Sequence, residues 1–361
     1  MEIMSRANSL AHIGRPLTPE EKKLTLWRTS DTFLHCCIES RGCQFSRKCG
    51  SCIMCDYGEG RNLHPDELRK ELDERVSQYM NGLHTILIGT YGSIFDEDEI
   101  SSACFDVILE FLAQYSIPTV IFETHCSTVN SNKLKKIRDK IPRKTKVIIE
   151  MGYESCDAYV LKYCLNKFIS LEQLKNAIRL IHDYRMSACT NVLLGAPFLC
   201  ERDQLDTAVK SVNWAFEQGA DSVVVFPMNI KPFTLLYKLY ERGYVNPVSQ
   251  WMLIDLLGEI PSKYLDNVSL SWYGDRKNFY ENDEFPLIPP QDCVECHDIL
   301  FKTYADFMKG DSINKRAEII QSVRNKKKLC MCGKRYELQM RSWSKRKTPY
   351  QIYEILHKID D

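Results

Sequence analysis

The stretch "TFLHCCIESRGCQFSRKCGSCIMCDYG", residues 32–58, decides how the chain is read. Thr32 to Ile38 is β-like. It runs straight into a loop where Cys43, Cys49, Cys52 and Cys55 fall within 13 positions. The chain carries 16 cysteines in 361 residues, and its opening "MEIMSRANSL" lacks the apolar core of a secretion signal. In a reducing compartment such crowding points to metal binding or redox chemistry rather than disulfides. A structural zinc site prefers two separated CxxC hairpins. Three thiolates from one loop suit a cubane iron–sulfur cluster with one iron left open for a ligand, and all four suit a closed electron-transfer cluster. The loop alone leaves these three readings open.

Outward from the loop, strands and helices alternate. Pro65 opens a helix whose Leu68, Leu72, Val76, Tyr79 and Met80 recur at helical spacing. Strands are expected at "TILIG" (85–89), "TVIFE" (119–123), "KVIIEMG" (146–152), "ACTNVLLG" (188–195) and "DSVVVFPM" (221–228). Helices are expected over 96–115, 134–141 and 203–218, and one opens at the capping box Ser170-x-x-Gln173. With the first strand this makes six strand–helix units. Strands apolar throughout are buried on both faces, as in a parallel sheet, so the fold class is α/β, barrel-like or open. Both architectures gather chemistry at the C-terminal strand ends, and the cysteine loop follows the first strand. The chain divides into an N-terminal extension (1–30), the strand–helix body (31–245) and a C-terminal extension (246–361). In that extension "WMLIDLLGEI" reads as a helix, "NVSLSWYGD" as a strand and "EFPLIPPQD" as a connector to a helical tail. The apolar runs are far shorter than a membrane span, and we expect a cytoplasmic protein.

Net charge is zero but unevenly spread. Residues 309–361 hold 14 Lys and Arg against 6 Asp and Glu, a net of +8 on a body of −8. Such a tail either holds a phosphate-rich partner or is a solvated helical face. Tyr336 and Trp343 stand among its lysines and arginines, as on a nucleic-acid surface. Cys293-x2-Cys296 and Cys330-x-Cys332 form two pairs, a zinc-like arrangement that also admits a second cluster, and His297 is an alternative ligand.

"GCQFSRKCGSCIMCDYG", "GTYGSIFDEDEI", "EMGYES", "CLNK" and "GAPFL", in this order, resemble the radical S-adenosylmethionine (SAM) superfamily. Within it the chain is similar to the Elongator catalytic-subunit-like group and to the archaeosine-forming radical SAM lyases of tRNA. The resemblance covers residues 30–245. It implies a partial (β/α)6 barrel, here with a helical, cysteine-containing C-terminal extension. It also implies a [4Fe–4S] cluster whose open iron is chelated by the methionine end of SAM. Reductive cleavage of SAM then yields a 5′-deoxyadenosyl radical that takes a hydrogen from substrate. The superfamily's commonest spacing has three residues between the first two ligands, and this chain departs from it. Cys43, Cys52 and Cys55 are the best-fitting ligands, with Cys49 the rival for the first place.

By the same resemblance, the turn Gly89, Tyr91, Gly92 and Ser93 lies at the methionine amino group. Tyr57 is placed near the cluster or the adenine, Glu123 near an ammonium or ribose hydroxyl, and Glu154 near the ribose. Lys167 would meet the SAM carboxylate and Asn191 the ribose. The family's usual Gly after "NK" is Phe168 here. His125 and Cys126 are candidate hydrogen donors or substrate contacts, with a structural role weighing more. The expected partners are an electron donor such as flavodoxin or ferredoxin, and a tRNA or phosphorylated substrate at the basic tail. A tailoring enzyme for a small molecule or peptide, and a metal-stabilised nucleic-acid-binding protein without catalysis, are the rival functions.

Overall fold

The computed structural model describes residues 24–57, 60–271, 287–342 and 344–360. Among them one sheet of eight strands keeps strict sequence order. The strands are β1 (Leu24–Ser30), β2 (Phe33–Ile38), β3 (Thr85–Thr90), β4 (Thr119–Thr124), β5 (Lys146–Glu154), β6 (Ser187–Leu194), β7 (Ser222–Pro227) and β8 (Val268–Leu270). Every neighbouring pair from β2 to β8 is parallel. Parallel neighbours need a crossover. Helices α2 (Pro65–Glu71), α3 (Ser102–Ala113), α4 (Ser131–Lys140), α5 (Leu171–Asp183), α6 (Glu201–Glu217) and α8 (Gln250–Glu259) lie in those crossovers. Two short helices, α1 (Gln44–Cys49) and α7 (Leu235–Glu241), lie within strand-to-helix connections. The sheet curls into a half-barrel, so of the barrel-like and open forms that the alternation allows it takes the first, the partial barrel that the resemblance implies.

The apolar patterns fall where the periodicity places them. Ile86, Ile88, Val120, Phe122, Val147, Ile149, Val192, Val223 and Val225 are buried in the strands. Phe105, Ile108, Leu109 and Leu112 of α3 and Leu174, Ile178 and Ile181 of α5 are buried against them. Each such side chain contributes on the order of 1.5–3 kcal/mol by leaving water. Ser170 caps α5 by accepting the Gln173 N–H at 3.4 Å.

Two elements depart from expectation. Leu24–Ser30 forms β1, which pairs antiparallel with β2 and buries Leu24. It joins the sheet through a short turn with no crossover, so strand–helix alternation does not signal it. The helix expected from 96 starts only at Ser102. The Ser101 hydroxyl accepts the Cys104 N–H at 3.2 Å and fixes the N-cap, leaving 96–100 as turns. The strand expected in "NVSLSWYGD" is β8. Its residues from 272 on, the first part of "EFPLIPPQD", residues 1–23 and Trp343 lie outside the described residues.

Four helices complete the chain: α9 (Val294–Lys309), α10 (Ile313–Arg324), α11 (Met331–Arg341) and α12 (Pro349–Asp360). Leu300, Tyr304, Phe307, Ile320, Val323 and Tyr336 join the same core as the barrel helices. Ile352, Leu356 and Ile359 of α12 enter a second cluster with Ile53 of the cysteine loop and Leu235, Leu236 and Leu239 of α7. Arg346, just before α12, reaches Asp203 at 2.6 and 2.9 Å and also pairs with Asp157. This arginine of the basic tail is therefore bound back onto the acidic body. No helix among the described residues is long and apolar enough to cross a membrane.

Candidate cluster and cofactor site at the barrel mouth

The cysteine loop leaves the C-terminal end of β2 and is tied down by backbone bonds. Ile53 N–H donates to the Leu165 carbonyl at 3.0 Å, and Leu236 N–H donates to the Ile53 carbonyl at 3.0 Å. Buried Asn166 donates its amide to the carbonyl of Ser51 at 2.7 Å and that of Cys49 at 3.4 Å. Asn166 and Ser51 both hold positive φ, 52° and 67°. Such backbone persists only where surroundings over-determine it. The sequence reading took Lys167 from "CLNK" and passed over Asn166, whose task is to fix the loop.

Cys43, Cys52 and Cys55 lie in one another's field. Burial pushes the Cys52 thiol up to about 12, with Lys167 opposing and Cys43 adding to the rise. Burial also raises Cys55, and Cys52 and Cys43 add to that rise. Half-buried and close to one another's charge, the three thiols resist ionising alone. A metal or cluster supplies the positive charge that would bring all three to the thiolate form.

The strand ends supply the surrounding groups. A Cβ on Gly89 would stand 2.8 Å from Glu123 Oε2, so the bare backbone lets that carboxylate lie over the turn. The Ser93 hydroxyl joins those of Thr124 and Thr128 at 2.6 and 2.8 Å. Tyr91 bonds Thr25 of β1 at 3.0 Å and meets Tyr57 edge-on at 5.7 Å. Lys231 pairs with Asp56 at 2.7 Å and stands 5.6 Å from the centre of the Tyr57 ring. Lys231 and Asp56 escaped the sequence reading. The only signal for the lysine was its position just after "VVVFPM", past the end of β7.

Glu154 ends β5 with φ +69°, beside an irregularity in its pairing with β6. Its Oε1 takes Lys167 Nζ at 2.8 Å, while its Oε2 is buried without a hydrogen-bond partner among the described residues. Lys167 is held above its ordinary value: burial opposes this, but Glu154 and Cys52 prevail. Burial raises Glu123 to about 8, with Glu150 and Glu154 adding to it. The Asn191 side chain bonds Glu150, and its own Oδ1 is buried without a partner, as is Thr90 Oγ1. His125 sits lower than usual, at about 4, through burial and then Lys167.

Buried polar groups are normally satisfied. The open oxygens of Glu154, at the end of β5, and of Asn191, on neighbouring β6, therefore fit a ligand rich in hydroxyls and ammonium. Of the residues expected here, Tyr57, Gly89, Tyr91, Ser93, Glu123, Glu154 and Lys167 lie at the strand ends or on the loops that leave them, and Asn191 lies within β6, opposite Gly152 of β5. Gly92, on the same turn after β3, sits against the cysteine loop, and a Cβ there would come within 3.0 Å of Cys43 Cα.

A second thiol cluster lies in the C-terminal extension. Cys293 and Cys330 occupy the N-cap positions of α9 and α11, and Cys296 and Cys332 their first turns. The sulfurs of Cys293 and Cys296 are 3.5 Å apart, of Cys296 and Cys332 3.2 Å, and of Cys330 and Cys332 3.6 Å. All four lie within 4.8 Å of one another. His297 does not join them: its Nδ1 lies 2.8 Å from Asp292 and its ring stacks on Phe301.

No family model matches the chain. It is 20% identical over 263 residues to an uncharacterised protein of Methanocaldococcus jannaschii, covering 68% of this chain and 71% of the other. It is 24% identical over 230 residues to the archaeosine synthase subunit beta of Methanosarcina acetivorans, covering 61% and 64%. The match thus spans just under two thirds of the Methanosarcina protein. The protein of that name from Thermococcus kodakarensis is 23% identical over 252 residues, covering 65% and 76%. Among solved structures, methylornithine synthase superposes with a TM-score of 0.49 at 15% identity, over 85% of this chain and 91% of that one. The two relatives named archaeosine synthase subunit beta, together with the partial barrel and its cysteine loop, support the radical SAM relationship that the motifs suggest.

Proposed function

We propose that this chain is a radical SAM enzyme acting on a modified nucleoside of tRNA, by C–H abstraction followed by C–N bond cleavage. The carrying observation is the loop bearing Cys43, Cys52 and Cys55, half-buried beside Lys167 and Glu154 at the barrel mouth, where Glu154 and Asn191 keep open acceptors. The two relatives named archaeosine synthase subunit beta support the nucleoside. Cys43, Cys52 and Cys55 would hold a [4Fe–4S] cluster. The bound cluster and SAM supply the radical that takes hydrogen from substrate.

The chain's own groups bind and orient. The Glu154 and Asn191 oxygens receive ribose hydroxyls. Lys167, fixed by Glu154, presents its charge to a carboxylate, and Glu123 offers an acceptor to an ammonium. Tyr57 and Tyr91 wall the mouth and keep water out. Flavodoxin or ferredoxin is the natural class of electron donor, in the reducing cytoplasm that 16 free thiols suit.

The C-terminal thiols fit one zinc ion. Four sulfurs about 2.3 Å from one tetrahedral ion lie roughly 3.8 Å apart, close to the spacings seen. A cubane holds its thiolates much further apart, because four irons and their sulfides stand between them. Zinc would pin the starts of α9 and α11 together. The outward side of α11 and the turn before it then becomes the surface for the phosphates of the RNA.

The test is anaerobic reconstitution with iron and sulfide, followed by reduction with SAM. About four irons per chain are expected, with release of 5′-deoxyadenosine and methionine. Cys43→Ala, Cys52→Ala and Cys55→Ala should each abolish release, and Cys49→Ala should not. Release lost in Cys49→Ala and kept in Cys43→Ala would move the first ligand. No iron uptake by the unmodified chain would end the reading.

A further inference from the structure

Glu99, near the end of the "GTYGSIFDEDEI" stretch, is bound to both halves of the site. It lies in the turns of residues 96–100, where the sequence predicts helix. Its side chain is 2% exposed. Oε1 accepts the Gln44 N–H at 2.7 Å, immediately after Cys43. Oε2 accepts the Ser93 N–H at the end of the "GTYGS" turn. Its own carbonyl accepts the Arg41 N–H at 3.2 Å, just before Cys43. Three backbone groups, two flanking a thiol and one in the turn, thus converge on one residue.

Gly92 shows how close the two segments come. A Cβ there would overlap the Glu99 carboxylate and lie 3.0 Å from Cys43 Cα. Space for a side chain does not exist, so turn, carboxylate and cysteine loop are in mutual contact. A buried carboxyl accepting two backbone N–H bonds fixes both donors in direction, because leaving either unpaired would strand a buried polar group.

We propose that Glu99 is a positioning residue that sets the spacing between the cluster-ligand loop at Cys43 and the turn that holds the amino end of SAM. The inference rests on the radical SAM reading of the mouth. A cofactor chelated to the cluster at one point and held by the turn at another binds well only if the two supports keep a fixed separation. Errors of an ångström there cost orders of magnitude in a reacting geometry. Ordinary packing residues would contribute to folding without setting that separation. Glu99→Gln keeps the volume but turns one acceptor into an amide NH2 that faces a backbone N–H, so one of the two bonds is lost. Glu99→Asp keeps the charge but is one methylene shorter.

The experiment compares Glu99→Gln, Glu99→Asp and Gly92→Ala with the unmodified chain. Each is reconstituted anaerobically and assayed for iron and sulfide, for thermal melting before and after reconstitution, and for SAM affinity read from the SAM-induced change in the reduced cluster's EPR signal. The expected result is near-normal iron content, with SAM affinity weakened about tenfold in Glu99→Gln and altered EPR parameters in the SAM-bound state. That factor is the weakening of one contact between the displaced turn and the cofactor; the lost Glu99 bond itself is present with or without SAM and registers in the melting temperature. Gly92→Ala should weaken SAM binding at least as much, and Glu99→Asp should recover part of the loss. A role in folding alone predicts lower melting with unchanged SAM affinity and EPR signal in the protein that stays folded, which would overturn the proposal while leaving the site reading intact. Unmodified protein that takes up no cluster would overturn the site reading, and this proposal with it.

Discussion

Lys167 Nζ and Glu154 Oε1 lie 2.8 Å apart in a buried ion pair whose carboxylate carries a second, unpartnered oxygen. Glu154 takes this place from a strained backbone at φ +69°. A Cβ on neighbouring Gly152 would come within 3.2 Å of Lys167 Nζ and 3.3 Å of Glu154 Oε1. The pair is therefore boxed in by backbone on one side, and the second carboxylate oxygen is buried without a hydrogen-bond partner among the described residues.

Removing one member of a buried pair leaves the other charge uncompensated, at a cost of about 3–5 kcal/mol. Lys167→Met and Glu154→Gln should each lower the stability of the cofactor-free protein by that order. The double variant should be less destabilised than the sum, because it leaves no stranded charge. Chemical denaturation of the four proteins measures this coupling. Simple additivity would mean that the pair is solvated in solution.

The carboxylates inside the barrel predict a direction with pH. Burial, then Glu150 and Glu154, hold Glu123 at about 8, while Lys231 and Lys167 pull the other way. Its folded value lies above its unfolded one, so the native state binds more protons through that interval. Stability is complete below the ordinary glutamate range and falls as pH rises toward 8. The melting temperature of the cofactor-free protein should drop over that span, and Glu123→Gln should flatten the drop. Because Glu123 and Glu150 face each other across the β4–β5 register, the midpoint belongs to the pair. A melting temperature that rises with pH, or that Glu123→Gln does not alter, would contradict this.

The barrel and the thiol pairs were legible because they rest on local signals. Apolar strands alternating with amphipathic helices leave few topologies, and paired cysteines at helix starts announce a shared centre. Glu99, Asn166 and Lys231 were not legible. Each acts across a long gap in the chain, as from Lys231 to Asp56 or Asn166 to Ser51, and carries no periodicity. Tyr336 misled for a related reason. Among lysines it resembles a surface aromatic, yet it is buried and its hydroxyl donates to Asp255 at 3.0 Å. The same Asp255 takes Lys327 at 2.6 Å and Arg324 at 3.2 Å. A buried acid had drawn these groups inward, and nothing in the tail's own sequence signals it.

The four C-terminal thiols should hold one zinc independently of the barrel mouth. Protein lacking Cys43, Cys52 and Cys55 should retain about one zinc per chain, the stoichiometry of a tetrathiolate site. Cys296→Ser or Cys330→Ser should release it and lower the melting temperature, since both sulfurs are buried between packed helices. Iron with sulfide in place of zinc would replace this assignment by a second cluster, and absence of any metal would remove it.

The cations of the tail divide into two sets, and the division predicts which of them hold RNA. Lys327, Arg324 and Arg346 are spent on Asp255, Asp203 and Asp157. Lys326, Lys328, Lys334, Arg335 and Arg341 are exposed and form no salt bridge among the described residues. They interleave with Leu329, Met331 and Leu338, which are 78%, 67% and 65% exposed. Unpaired cations around apolar side chains fit a polyanion that also offers ribose and base faces. Each phosphate neutralised releases counterions, so binding weakens steeply with salt, by a slope of roughly 0.7–0.9 per contact. Replacing Lys326, Lys328, Lys334 and Arg335 with Ala should weaken tRNA binding at low salt and reduce that slope by about three to four. Lys327→Ala should act differently, lowering stability by freeing Asp255 while leaving the salt slope little changed. SAM cleavage without RNA should be unaffected by the fourfold variant, because the site at the strand ends does not use these residues. Unaltered tRNA binding by the fourfold variant would remove α11 from the RNA surface. Absence of any RNA binding at low salt would turn the reading toward a small-molecule substrate.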